Sequence, residues 1–129
     1  MSTSDTQGHS LFSAARPGTA PPVLKLEHDA TSARVQLSIE PGLPWFDGHF
    51  DSRPILPGVV QVHWAGLALE QLFGICGEFA GAENVKFQNV IEPPRVVDLG
   101  LEFDSSKKRG RFVYTSQGCE HSRGLLQYR

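Results

Sequence analysis

The longest apolar stretch of the chain lies near its middle, and it predicts a buried helix. Over residues 59–73 nearly every side chain is apolar, and the apolar positions fall on all faces of a helix. Pro57 precedes this stretch, and proline suits the first position of a helix because its φ is fixed and it lacks an N–H that would be unpaired there. We therefore predict a helix that begins at Pro57 or Gly58 and is enclosed by protein. Its length of about 16 residues, roughly 24 Å, is short for a membrane span.

Segments on both sides of this helix have the pattern of β-strands. The clearest is residues 33–40, where apolar Ala, Val, Leu and Ile alternate with polar residues, so that one face is buried and the other is wet. Two strands precede the helix and four follow it: residues 23–28, 33–40, 84–91, 96–103, 111–116 and 119–128. This order predicts an α+β fold in which an antiparallel sheet wraps around one long buried central helix.

Length and composition indicate the number of domains and exclude some classes of binding partner. The chain has 129 residues, enough for one domain with a sizeable core. Residues 1–21, rich in Ser, Thr, Ala, Gly and Pro, are predicted to be a mobile tail, and residues 22–129 the domain. The net charge of −2 indicates no general attraction to nucleic acid or to a membrane. Cys76 and Cys119 lack metal-ligand spacing and no secretory signal is evident, so we expect free thiols in a cytoplasmic protein.

The loop before the helix and the first helical turns hold the candidate chemistry. His49 lies in the loop, and His63 follows fourteen residues later inside the apolar segment. Imidazole titrates near pH 6.5, so it exchanges a proton near neutral pH. A helix start presents unpaired N–H groups and a partial positive charge, and Gly58 lets a ligand approach the backbone there. Gly58 is therefore a candidate donor to a developing oxyanion.

The order of residues in this region resembles the signature of an enzyme family. Gly48-His49-Phe50, followed by Arg53-Pro54-Ile55-Leu56-Pro57-Gly58-Val59, is similar to the FabA/FabZ-type 3-hydroxyacyl-[acyl-carrier-protein] dehydratases. Gln61-Val62-His63-Trp64-Ala65 most resembles their ApeI-like branch. The resemblance implies a hotdog fold. It also implies dehydration of a 3-hydroxyacyl thioester on acyl carrier protein to the trans-2-enoyl thioester, in fatty-acid or aryl-polyene-type biosynthesis.

The same resemblance implies roles for individual residues. In the family the loop His is the base, the Gly at the helix start polarises the thioester carbonyl, and an acidic residue further along the helix is the second catalytic group. These positions are His49, Gly58 and His63. Because His63 replaces the usual Glu or Asp, it is expected to be a proton donor to the departing hydroxyl, or else a hydrogen-bonded core histidine or an orienting group. The expected substrate-binding residues are Phe50, Pro57, Val59 and Trp64.

The family also implies partners. It forms its site at a dimer interface, with the loop His and the helix residue in different subunits, so we expect a homodimer or a heterodimer with a related hotdog protein. The other expected partner is an acyl carrier protein with a phosphopantetheine-linked acyl chain. No cofactor is expected, and the spacing of the two histidines with Asp47 and Asp51 matches no common metal motif. Basic residues that can dock the acidic carrier are Arg53, Arg95, Lys107, Lys108, Arg109 and Arg111.

Two other functions stay open on the sequence, because a fold does not decide an activity and hotdog proteins also include thioesterases and non-catalytic members. A thioesterase would use a carboxylate-activated water, and the His-to-Pro-Gly order argues against it. A protein that binds an acyl carrier without turnover is the third interpretation, because position 63 lacks a carboxyl group.

Overall fold

Residues 11–12, 20–43 and 54–129 are described by the computed structural model. In these ranges the chain forms one helix and six strands. The elements are β1 (Val23–His28), β2 (Ser32–Ile39), α1 (Gly58–Phe73), β3 (Phe79–Phe87), β4 (Arg95–Asp104), β5 (Arg109–Ser116) and β6 (Cys119–Tyr128). The strands form one antiparallel sheet in the order β1-β2-β4-β5-β6-β3. The predicted α+β arrangement is confirmed.

The ends of α1 have backbone conformations that proline and glycine favour. The helix begins at Gly58, and Pro57 precedes it with φ −61° and ψ 144°, an extended conformation that the proline ring permits. Gly74 ends the helix in the left-handed region, with φ 63°, and its N–H donates to the carbonyl of Glu70. A left-handed residue at this position is favourable for glycine, which has no Cβ to clash.

One face of α1 packs on the sheet and supplies the core. The buried helix residues are Val60, Gln61, Trp64, Ala65, Ala68 and Leu69, and the sheet opposes them with Val35, Leu37, Leu99, Leu101, Phe112, Tyr114 and Leu126. Removal of this apolar surface from water is the main driving force for the fold.

The opposite stripe of α1 is exposed, so the prediction of a helix enclosed on all faces is wrong for the described chain. Val59 is 76% exposed, and His63 and Glu70 are also exposed. Their spacing of four and seven residues places them along one line of the helix surface. The apolar composition of the segment predicted that every face of the helix is buried, but no described residue of the chain packs over this stripe.

The third predicted strand is displaced. Residues 84–91 were expected, whereas β3 spans Phe79–Phe87, and residues 88–91 follow outside it. The pairing of β3 with β6 is irregular at two places, so apolar and polar residues do not alternate along it. Gly81, which precedes the predicted strand of residues 84–91, lies inside β3 with φ 148°, a conformation that glycine tolerates.

The amino-terminal segment is anchored at two residues. Leu11 and Phe12 are buried, and the Phe12 ring lies 6.4 Å from that of Trp64. At these positions the chain packs in the core, in contrast with the predicted mobile tail. Residues 1–10 and 13–19 lie outside the described residues, where the tail stays a prediction. No helix in the described part of the chain is long and apolar enough to cross a membrane.

Candidate active site

A cleft of about 480 Å³ opens at the amino end of α1. Its two walls are residues 55–58, at the start of α1, and residues 87–90, which begin at the last residue of β3, with Gln61 between them. Phe87 and Val90 are about half exposed and give the cleft an apolar surface. A larger groove of about 640 Å³ lies at the β4–β5 turn, but charged and polar residues dominate its lining. Small-molecule sites are mostly apolar with a few polar groups, so the cleft at α1 is the better candidate.

Gly58 and Pro57, two of the predicted site residues, both line this cleft. The N–H groups of Val60 and Gln61 donate to the carbonyl of Pro57, whereas the described residues contain no acceptor for the N–H of Gly58. A Cβ at position 58 would lie 2.6 Å from Cζ of Phe87. Glycine therefore lets the aromatic wall close on the helix start, where a free amide and the helix dipole favour a negative oxygen.

His63 lies on the exposed stripe of α1 with Val59, and it is absent from the cleft lining. His63 is exposed and its ring has no hydrogen-bond partner among the described residues, so these residues give no support to the interpretation as a hydrogen-bonded core histidine. An exposed imidazole is free to exchange a proton with a group outside this part of the chain.

The other predicted site residues divide into two groups. Trp64 is only 1% exposed and packs in the core against Phe12, so the described geometry gives no support to its predicted contact with substrate. Val59 is accessible but belongs to the exposed helix stripe. The predicted base His49 lies outside the described residues, and its role stays a prediction. The same holds for Asp47, Phe50, Asp51 and Arg53.

A buried polar network behind the cleft was missed in the sequence. Gln61 is 3% exposed, and its side-chain Nε2 donates to the carbonyl of Leu56 at 3.1 Å. Its Oε1 accepts from the hydroxyl of Ser122 at 2.6 Å, and its backbone carbonyl accepts from the hydroxyl of Tyr114 at 2.7 Å. Burial raises the pKa of Tyr114 well above its ordinary value, so the phenol stays a donor. The sequence signal that could have indicated this network is a polar Gln inside an apolar helical segment, because buried polar groups need hydrogen-bond partners.

Most of the described basic residues lie away from the cleft. On β5, Gly110 contacts Leu69 near the carboxyl end of α1, whereas Tyr114 reaches Gln61 near the amino end. Lys107, Lys108, Arg109 and Arg111 therefore lie toward the opposite end of the sheet, and Arg111 forms an exposed ion pair of the kind that contributes little to stability.

Arg95 is the exception among these candidates. Its Nη1 donates to the hydroxyl of Ser116 at 3.2 Å, at the end of the sheet that carries the cleft. No three acidic, Cys or His residues in the described ranges are grouped as a metal site. Cys76 and Cys119 are exposed free thiols.

The chain is similar to known dehydratases in sequence and structure. A family model described as ApeI-like, ApeI dehydratase, matches residues 25–125. The 3-hydroxyacyl-[acyl-carrier-protein] dehydratase FabZ of Novosphingobium aromaticivorans is 36% identical over 74 residues, which are 50% of this chain and 47% of that enzyme. FabZ of Acetivibrio thermocellus is 34% identical over 95 residues, 66% of this chain and 65% of the relative. The match thus spans about half to two thirds of these relatives.

A solved structure resembles almost the whole domain. The dehydratase heterocomplex ApeI:P from Xenorhabdus doucetiae has a TM-score of 0.80 at 32% identity, covering 84% of this chain and 98% of that chain. This similarity confirms the predicted hotdog fold.

Proposed function

The chain belongs to the ApeI-like dehydratase family, and on that premise we propose that it removes water from a 3-hydroxyacyl thioester carried on an acyl carrier protein. The product is the trans-2-enoyl thioester, in fatty-acid or aryl-polyene-type biosynthesis. The observation that carries the proposal is the apolar cleft lined by Gly58, whose N–H has no acceptor among the described residues, inside the matched residues. An acyl thioester needs these two features, an apolar wall and a donor for its carbonyl oxygen.

The chemistry divides among three groups. A base removes the proton at C2, the thioester oxygen takes negative charge, and the C3–O bond then breaks as the hydroxyl receives a proton and leaves as water. The N–H of Gly58 is placed to stabilise the oxygen. Neutral His49 is the proposed base, and protonated His63 is the proposed donor to the leaving hydroxyl.

A second hotdog chain is part of the proposed site. The stripe with Val59 and His63 is exposed, and β3 pairs with β6 on one side only, leaving its other edge unpaired among the described strands. Exposed apolar residues and a free strand edge both favour pairing with another chain. We propose a dimer, either of this chain or with a related hotdog protein, as in the ApeI:P heterocomplex.

Subunit complementation tests this arrangement. If His49 of one subunit works with His63 of the other, neither His49→Ala nor His63→Gln dimers retain an intact site. A mixed dimer then regains one intact site, so mixing with free subunit exchange restores about a quarter of the parent activity. A mixture that stays inactive, although mass spectrometry detects mixed dimers, contradicts the shared site. Sedimentation that shows only monomer in an active sample contradicts the dimer itself.

The proposed carrier partner presents an acyl chain on phosphopantetheine, and we propose Arg95 as a contact for its acidic surface, because the hydrogen bond of Arg95 to Ser116 connects it through His121 to residues 89–90 of the cleft. The free thiols of Cys76 and Cys119 support a reducing compartment, the cytoplasm, for this reaction.

Mass spectrometry of a panel of 3-hydroxyacyl carriers tests the activity. Loss of water from the carrier-bound chain is the expected result. Release of the free acid would show a thioesterase instead, and an unchanged carrier that still co-purifies with the protein would show a binding protein without turnover. His49→Ala is the matched control, because it removes the proposed base.

A further inference from the structure

A β-bulge in β6 connects both walls of the cleft to the sheet. The pairing of β5 with β6 passes from Tyr114 opposite Ser122 to Thr115 opposite Glu120, so His121 is an extra residue in β6. As a result His121 and Ser122, which are consecutive, are both buried, at 3% and 0% exposure. In a regular strand consecutive side chains point to opposite faces, and bulges near active sites re-aim side chains.

His121 fixes the wall formed by residues 87–90. Its Nδ1 lies 3.2 Å from the carbonyl oxygens of both Asn89 and Val90. Carbonyls only accept, so Nδ1 carries the proton and Nε2 accepts from the hydroxyl of Ser116 at 2.6 Å. The backbone carbonyl of His121 also accepts from the N–H groups of Gln88 and Asn89. Residues 88–90 lie outside any strand, and their hydrogen bonds with His121 replace the strand pairing that β3 has up to Phe87.

Ser122 fixes the other wall through Gln61. The hydroxyl of Ser122 donates to Gln61, and the Gln61 amide donates to the carbonyl of Leu56, two residues before Gly58. The N–H of Leu56 then donates to the carbonyl of Ile91 at 2.9 Å, which ties the two walls together. Each of these buried groups has its partner, and loss of one partner leaves a buried polar atom unsatisfied.

We propose that Gln61 is a positioning residue for the dehydration, held by the His121–Ser122 bulge, and that it sets where the amide of Gly58 stands in the cleft. The inference rests on the proposed function, because its catalytic consequence is the position of the thioester oxygen. Gln61 transfers no proton. It acts through Leu56 and the segment that leads into α1, and a displacement near 1 Å is enough to cost roughly 10²-fold in rate.

Gln61→Glu is the informative variant. A protonated carboxyl group reproduces both side-chain hydrogen bonds, since its O–H donates to the Leu56 carbonyl and its C=O accepts from Ser122. The ionised carboxylate cannot donate and faces the Leu56 oxygen instead. Burial raises the pKa of a carboxyl group, so the change between these states falls in an accessible pH range.

We expect the ratio of variant to parent kcat to rise roughly 10-fold or more as the pH is lowered through this titration, with KM for the carrier thioester within about threefold. Taking the ratio at each pH removes any pH dependence that the variant and the parent share. Ser122→Ala should lower kcat at every pH. Ser106→Ala is the control, because it loses a serine hydrogen bond of 2.7 Å to Asp104 in the β4–β5 turn. A flat ratio near one, or one that follows only the folded fraction, overturns the proposal.

Amide hydrogen exchange gives a readout independent of activity. In Gln61→Glu at high pH and in Ser122→Ala, the Leu56 N–H should exchange at least about tenfold faster than in the parent, while amides of β4 and β5 are unchanged. Unchanged protection of Leu56 in both variants overturns the inference even if the protein has no dehydratase activity. Faster exchange in a protein that dehydrates no carrier would overturn the proposed function and keep the structural role of Gln61.

Discussion

The two tyrosines of the chain offer a matched test of the network behind the cleft, because both are buried and, among the described residues, only Tyr114 has a hydrogen-bond partner for its hydroxyl. The Tyr114 hydroxyl donates to the carbonyl of Gln61 at 2.7 Å. The Tyr128 hydroxyl is buried and finds no partner in the described part of the chain. Changing each tyrosine to phenylalanine removes the same oxygen from the same side of the sheet, so differences in side-chain volume cancel.

Opposite effects on stability are expected from the two variants. Tyr114→Phe loses a buried hydrogen bond with a net value of about 1 kcal/mol, and more if the Gln61 carbonyl is left poorly satisfied. The buried hydroxyl of Tyr128 costs about 1–3 kcal/mol of desolvation that no hydrogen bond among the described residues offsets. Tyr128→Phe removes this hydroxyl, so it should be neutral or stabilising. The free energies of unfolding should therefore differ by about 2 kcal/mol, or roughly 6–10 °C in Tm for a domain of this size.

Urea unfolding followed by tryptophan fluorescence is a suitable assay, because Trp64 is buried in the same core. The dependence of the free energy of unfolding on urea concentration must have the same slope in all variants for the comparison to hold. Equal losses of stability in Tyr114→Phe and Tyr128→Phe would refute the argument, since both changes would then act through packing alone. A larger loss in Tyr128→Phe would show that its hydroxyl has a partner, for example on a second chain.

Three further results are expected. His49→Ala should abolish dehydration and leave the free energy of unfolding unchanged; turnover within a few-fold of the parent would exclude His49 as the base. His63→Gln should lower the rate by about 10²–10⁴ while His63→Glu recovers part of it, and normal turnover per folded dimer would end its role as a proton donor. Burial raises the pKa of Tyr128 to about 12, the charge of Glu70 adds to this, and burial raises that of Tyr114 as well. The unfolded chain therefore loses phenol protons first, and the free energy of unfolding should fall as pH rises above about 10; tyrosinate absorbance of the native protein that titrates near 10 would contradict this.

Sequence patterns predicted the elements that local chemistry determines. The start of α1 at Gly58 and its end at Gly74 follow from proline and glycine, whose backbone preferences act within a few residues. The strands with clear alternation, such as β2 and β4, lie within one residue of where they were predicted. The displaced strand β3 lacks alternation, because its pairing with β6 is interrupted by irregular register. A strand without alternating apolar and polar residues cannot be located from the periodicity of the sequence.

The polar network was beyond sequence reasoning for a different reason. Gln61 and Ser122 are 61 residues apart, and Gln61 and Tyr114 are 53 apart, so only the folded sheet brings them together. The bulge that turns both His121 and Ser122 inward is set by register between strands, which no local pattern encodes. The candidate catalytic residues were easier to find, because they lie close together in a motif whose order is itself the signal.

The geometry of α1 bears on the proposal that a second chain completes the site. Gly58 and His63 are five positions apart on one helix, which places them about 140° apart around its axis and about 7.5 Å apart along it. Gly58 and Gln61 line the cleft, whereas His63 is exposed with Val59 and does not line it. The N–H of Gly58 points along the helix axis toward its amino end, so a thioester whose oxygen accepts from this N–H has to extend past the cleft before its C3 hydroxyl reaches His63. We propose that the exposed stripe of α1 and a second hotdog chain together enclose that part of the substrate.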